Sequence, residues 1–274
     1  MNKNIFKNTK LTDNQIAIFY LGQEGFIIKF KEKYIMIDGY LSDYVDKNCC
    51  SENVKWVRRY LPPINPEELD FIDFVFCTHE HFDHADPYTL SALAKINKKA
   101  KFIIPPHIAT IIEEYGISKE RIVCAIADQK LTFDSFAVTP IPSAHEELHK
   151  GEDGNYLELG YVFNLDGITL YHAGDCCIYN GLEERIKNTD ILMLPVNGRS
   201  YYKLNIDDIV GNMTAEEAVI LAKKTNSNLI IPMHFDLYDV NCINPATFVD
   251  TVFTLNSHQS YHIFVPGERY IFEK

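Results

Sequence analysis

Basic residues are in short supply in this chain: 26 lysines and arginines face 38 aspartates and glutamates, a formal charge of −12. That balance offers no basic stripe, so no nucleic-acid partner is expected. A small anionic substrate stays compatible, because bound cations can dominate the local potential. Also missing is any apolar run long enough to cross a bilayer, and the opening MNKNIFK has no signal-peptide core. No membrane association is expected. The seven cysteines (49, 50, 77, 124, 176, 177 and 242) lack C-x-x-C spacing and are odd in number. That argues against a zinc ribbon or a disulfide framework and for reduced thiols in a cytoplasm. There is no short-period repeat.

What remains is ordinary globular material, 46% hydrophobic and 23% charged over 274 residues. One large domain spanning residues 1–274 is expected, with no need of a second core.

The most informative stretch is Thr78-His79-Glu80-His81-Phe82-Asp83-His84, directly after the apolar run 71–77. Neutral imidazole and carboxylate suit a borderline divalent cation. On a plain strand, alternation would send His84 to the face opposite His79, His81 and Asp83. For all four to serve, the chain must leave the strand and bend around a site. Asp86-Pro87 then opens a helix over 88–95.

The same grammar recurs. Runs 16–21, 26–30 and 34–38 read as strands, the last ending on Asp38, which either lies near a metal or caps a turn with Gly39. Strand 101–104 is stopped by Pro105-Pro106, and a helix over 108–115 ends at Gly116. Strand 136–141 leads to Ser143-Ala144-His145. A hairpin over 161–172, turning at Asp166-Gly167, delivers His172-Ala173-Gly174-Asp175. Strand 190–196 leads to Asn197-Gly198-Arg199, and Thr214 to Glu217 has capping-box spacing for a helix to about Lys224. Strand 228–233 ends on His234.

Some assignments have competitors. His149 competes with His145, which is preferred as the first imidazole off its strand. His172 competes with Asp175 and is assigned to the wall. Cys176 stands one residue out of place to ligate. Arg58 and Arg59 read as a solvated charge pair or a pocket rim.

The residues at 79, 81, 83, 84, 145, 175 and 234 resemble the signature of the metallo-β-lactamase superfamily. Segments 69–73, 78–86, 170–175, 213–216 and 230–236 resemble its L-ascorbate-6-phosphate lactonase-like branch. The resemblance implies an α/β fold, the four-layer αββα sandwich, with a metal site along one edge. Carried over residue by residue, it implies His79, His81 and His145 on one ion, Asp83, His84 and His234 on the other, and Asp175 bridging.

An all-nitrogen-and-oxygen set accepts zinc, manganese or iron. Two divalent ions sharing an oxygen would bring the pKa of water toward ~7 and supply hydroxide for hydrolysis. In that reaction Asp83 orients the hydroxide and Asp175 holds the pair of ions. The expected substrate is a small sugar-type lactone, including a phosphorylated one. Its phosphate would meet Asn197, Arg199, Tyr201 or Lys203, in a loop that reads equally well as a surface connection. A small-molecule phosphodiesterase and a non-catalytic metal-binding regulator are the alternatives. A di-iron oxygen-reducing enzyme would need a flavin domain for which the chain has no room. Lactonases of this kind imply a homo-oligomer.

Overall fold

Nearly every apolar run becomes a strand. The computed structural model describes residues 3–274. In chain order the strands are β1 (Gln15–Gly22), β2 (Gly25–Phe30), β3 (Lys33–Ile37), β4 (Phe74–Phe76), β5 (Lys101–Ile104), β6 (Ile122–Cys124), β7 (Leu131–Thr132), β8 (Ala137–Pro142), β9 (Leu159–Leu165), β10 (Ile168–His172), β11 (Ile191–Pro195), β12 (Leu229–Met233), β13 (Ser260–Tyr261) and β14 (Arg269–Glu273).

They make two sheets, ordered β14-β1-β2-β3-β4-β5-β6 and β13-β12-β11-β10-β9-β8-β7. The first belongs to a compact unit comprising the chain through Asn48, Tyr60–Ala125 and Phe264–Lys274. The second belongs to a unit comprising Cys49–Arg59 and Ile126–Ile263.

Both sheets are mixed in the same way. In the first, β14, β1, β2 and β3 pair antiparallel, and β3 to β6 pair parallel. In the second, β7 to β10 pair antiparallel, and β10 to β13 parallel. Parallel pairing puts strand ends on one edge. In the second unit β8 and β10 both oppose β9, so the C-terminal ends of β8, β10, β11 and β12 share an edge. In the first, β1 and β3 both oppose β2, so the β1–β2 hairpin tip lies on the edge where β3 and β4 end.

Burial explains the composition of these runs. β1, β2, β11 and β12 are buried almost throughout, which is why they read as continuous hydrophobic stretches without alternation. Lys29 is the exception within β2. It is nearly fully buried, and its ammonium donates to the Thr9 carbonyl at 2.7 Å and lies over the Tyr34 ring. On one face of the first sheet Phe19, Met36, Val75 and Phe102 share a core with Phe6, Leu90, Leu93 and Ile112.

The helix expected over 88–95 is Pro87–Ile96, with Asp86 as N-cap accepting from Tyr88 N and Thr89 N. The Thr214 capping box is present, on a helix running Ala215–Thr225. The Asp166-Gly167 turn has both residues at positive φ, 55° and 95°, as a two-residue hairpin of this hand requires.

Two expectations need adjustment. Run 71–77 yields only Phe74–Phe76, because Phe71 and Ile72 turn to pack while Asp73 caps the edge, accepting from Tyr34 N at 2.9 Å. Run 108–115 splits into a 3-10 turn, Pro106–Ile108, and a helix, Ala109–Glu114, since Pro105-Pro106 forces a tight start.

Candidate metal centre

The loop after β4 supplies four candidate ligands and carries its own positioning network. Asp38, just past β3, is completely buried at φ 44° and accepts three hydrogen bonds. They come from Thr78 N at 2.9 Å, Thr78 Oγ1 at 2.7 Å and His84 Nδ1 at 2.8 Å. A carboxylate on Nδ1 fixes the imidazole with its proton there, leaving the Nε2 lone pair to serve as ligand. That Nε2 faces Asp83 Oδ2 at 3.8 Å. Two acceptors facing each other across such a gap suit a cation between them.

The loop folds back on itself through His84 N and Ala85 N, both donating to the His81 carbonyl. This turn brings His84 beside His79, ring centroids 4.1 Å apart, with His81 4.6 Å from His79 on its other side. His79 and His84 are buried and His81 is exposed. The bend that the sequence demanded is this turn.

In the second unit three strand ends converge. Asp175 Oδ2 lies 3.3 Å from His145 Nε2, and its Oδ1 lies 3.4 Å from His234 Nε2. One oxygen per imidazole is what a carboxylate shared by two ions presents. The separations match the edge of a tetrahedron of ~2.1 Å metal–ligand bonds. Ser143 Oγ fixes the backbone under Asp175, bonding the carbonyls of Ala173 at 2.8 Å and Asp175 at 2.9 Å. His234 leaves β12 at φ 57°, an uncommon conformation for a non-glycine residue that turns its ring toward Asp175.

The competitors take other partners. His149 sits at the surface with Nδ1 3.2 Å from Glu158. His172 Nδ1 accepts from Gly174 N at 3.2 Å, so it braces the turn into Asp175. Cys176 is buried, its thiol pushed up in pKa by desolvation and bonded to the Cys177 carbonyl.

The loop after β11 differs from the expectation of an open anion receptor. Arg199 forks onto Glu217 at 2.6 and 2.7 Å and also donates to the Asn212 carbonyl at 3.2 Å. Lys203 donates to the Asn197 carbonyl at 2.9 Å and to Asn241 Oδ1 at 3.1 Å, and burial lowers its pKa. Asn197 is buried and donates to Asn241 at 2.9 Å. The two cations stabilise the loop; Arg199 is exposed but held by Glu217, and Tyr201 is 78% exposed. Arg59 likewise pairs with Asp239 at 3.0 Å, and the backbone of Arg58 bridges Tyr238.

The Arg199–Glu217 pair gives a pH test. Glu217 has its pKa lowered, first by the hydrogen bond from Arg199. A depressed carboxylate pKa stabilises above the unfolded value and is lost as pH falls through the folded one. Glu217→Gln keeps one carbonyl oxygen for the Thr214 amide while removing the charge and one of the two oxygens that accept from Arg199. We expect it to cost about 1 kcal/mol at pH 7, screened because the pair is partly exposed, with the gap to wild type closing as pH drops below the ordinary glutamate range. Urea unfolding of both proteins from pH 7 down to about pH 2 measures it; a gap of undiminished size at the acid end contradicts the assignment.

Sequence reasoning gives no role to Gln23, Glu24 or Asn241, and none to Thr78 or Ser143 beyond their place beside His79 and His145. Gln23 donates to Asp83 Oδ2 at 3.0 Å, and Glu24 lies 3.6 Å from His84 Nδ1. The available signal was a polar pair flanked by Gly22 and Gly25 between two fully apolar strands.

Two mixed sheets, each an antiparallel half joined to a parallel half with imidazoles and carboxylates at the strand ends, define the metallo-β-lactamase αββα class. A family described as the beta-lactamase superfamily domain matches residues 36–235, and the chain belongs to it. Relatives include a UPF0173 metal-dependent hydrolase of Saccharolobus solfataricus, 25% identical over 85% of this chain and 90% of that one. Another, of Archaeoglobus fulgidus, is 26% identical over 94% of this chain and 100% of its own. Among solved structures, an isothiocyanate hydrolase from Delia radicum gut bacteria aligns with a TM-score of 0.75 at 19% identity, covering 94% of this chain and 100% of that one. The metallo hydrolase Igni18 of Ignicoccus hospitalis aligns at 0.69 and 20% identity, covering 95% and 99%. These structural likenesses bear on the fold, and they agree with the αββα expectation.

Proposed function

We propose that the protein is a binuclear metal-dependent hydrolase whose substrate is a small lactone or related ester, including a phosphorylated sugar lactone. His79, His81 and His145 hold one ion, Asp83, His84 and His234 the other, and Asp175 is shared. The observation that carries the proposal is Asp175, which offers one oxygen to each of two imidazoles.

When bound, the ions supply Lewis acidity and bring the pKa of water toward ~7. The chain's own part is positional. Asp38 sets the tautomer of His84. Ser143 keeps the Asp175 backbone fixed. Asp83, partly exposed beside the ligand cluster, accepts a hydrogen bond from the attacking water and orients it. The nitrogen-and-oxygen donor set favours zinc or manganese, and iron is also accommodated. No disulfide joins any of the seven cysteines among the described residues, which suits a reducing cytoplasm. No helix among the described residues is long and apolar enough to cross a membrane. A homo-oligomer is expected, and light scattering reads its size.

Metal analysis of the purified protein should find two equivalents of divalent ion per chain. Parallel assays with a sugar-phosphate lactone and a bis-aryl phosphodiester should show lactone turnover that a chelator abolishes and added zinc or manganese restores. Removing ions that bind only the folded state also lowers Tm, by an amount that grows with metal concentration over Kd. Turnover of the phosphodiester alone transfers the protein to that class. Turnover of neither substrate by fully loaded protein removes the lactone reading.

A further inference from the structure

The tip of the β1–β2 hairpin is built with more constraint than a turn needs. Gln23 is 2% exposed and sits at φ 58°, a conformation costly for a non-glycine residue. Its backbone is held from both sides: Gln23 N donates to Tyr60 Oη at 3.2 Å, and Tyr20 Oη donates to the Gln23 carbonyl at 3.1 Å. Gly22, at φ 104°, makes the approach possible, since a Cβ there would lie 2.6 Å from Tyr60 Oη.

This framework aims one side chain. Gln23 Nε2 donates to Asp83 Oδ2 at 3.0 Å, the same oxygen that lies 3.8 Å from His84 Nε2. The Asp83 side chain is 20% exposed, so a carboxylate left to itself there would sample several rotamers. A primary amide is suited to the task. It donates without adding positive charge, whereas a lysine or arginine would neutralise the carboxylate and a glutamate would repel it.

We propose that Gln23 is a positioning residue that locks the Asp83 carboxylate and thereby sets the affinity for the ion held by Asp83 and His84. This rests on the binuclear reading above. Partners of metal ligands typically change affinity 10–100-fold when removed.

Gln23→Gly separates the two roles of the residue, because glycine relaxes the positive φ while deleting the amide. Metal-free Gln23→Gly should match or exceed the wild-type Tm. In Co²⁺ titration of metal-free protein against a competing chelator, with the visible absorption of bound cobalt as readout, one of its two binding events should lose 10–100-fold in affinity, and the other should change less than threefold. Gln23→Glu should show the same asymmetry and a larger loss. Two binding events in wild type with both constants unchanged in either variant would overturn the Gln23 assignment alone. Fewer than two events in wild type would overturn the binuclear reading, and the assignment with it. A loss of Tm in metal-free Gln23→Gly matching its loss of affinity would make Gln23 a structural turn residue.

Discussion

Asp175→Ala should yield a folded protein that has lost one of its two ions and about a thousandfold or more of its hydrolytic rate. The fold survives because Asp175 lies at a strand-end edge and its backbone is fixed through its carbonyl by Ser143, contacts that alanine keeps. Function is lost because the carboxylate lies within 3.3 Å of His145 and 3.4 Å of His234, one oxygen to each. Losing a shared anionic ligand removes several kcal/mol of charge stabilisation, and each 1.4 kcal/mol is tenfold in rate. Elemental analysis and circular dichroism on the variant, beside the lactone assay, check all three parts. Wild-type metal content in this variant would mean that the bridge is misassigned.

The second large effect is expected at Asp38, where two substitutions should part company. Asp38→Ala takes the buried acceptor from the Thr78 amide and His84 Nδ1 and leaves the Thr78 hydroxyl only its histidine neighbours, at a cost of about 3–5 kcal/mol. Asp38→Asn fits the same space, tolerates φ 44° and keeps a carbonyl for Thr78 N, so it should cost only about 1–2 kcal/mol. Its amide would donate where the carboxylate accepted, turning His84 Nδ1 into an acceptor and moving the proton to Nε2. A protonated Nε2 is no ligand, so Asp38→Asn should lose the ion beside Asp83 about as fully as Asp38→Ala does. Denaturant melts rank the stabilities and chelator competition ranks the affinities. Full metal affinity in Asp38→Asn would show that the tautomer is not set by this carboxylate.

The strand-then-ligand pattern made much of this legible beforehand. Continuous apolar runs of four to seven residues ending in His79, His145, Asp175 and His234 read as buried strands because sheets covered on both faces need no polar alternation. Capping chemistry at Asp86 and Thr214 was equally plain, since it is local. The helix Pro245–Leu255 and the strands Ser260–Tyr261 and Arg269–Glu273 lie beyond the last motif and go unread in the sequence, although Asn244 caps the helix with Pro245 at its first position. Arg199 and Lys203 looked like anion receptors by charge alone. Their internal acceptors, Glu217 and Asn241, lie 18 and 38 residues further along the chain, and sequence carries no sign of such partners.

By itself, then, the sequence determined which residue types stand at strand ends and hence the kind of ion they can hold, because ligand chemistry and hydrophobic periodicity are properties of single positions and short windows. Tertiary structure alone decided which nitrogen of His84 carries its proton, which oxygen of Asp175 faces which histidine, and that a hairpin tip some 60 residues away grips Asp83. Those are contacts between segments distant in sequence, and they exist only once sheet order and strand direction within each unit have brought its strand ends to one edge.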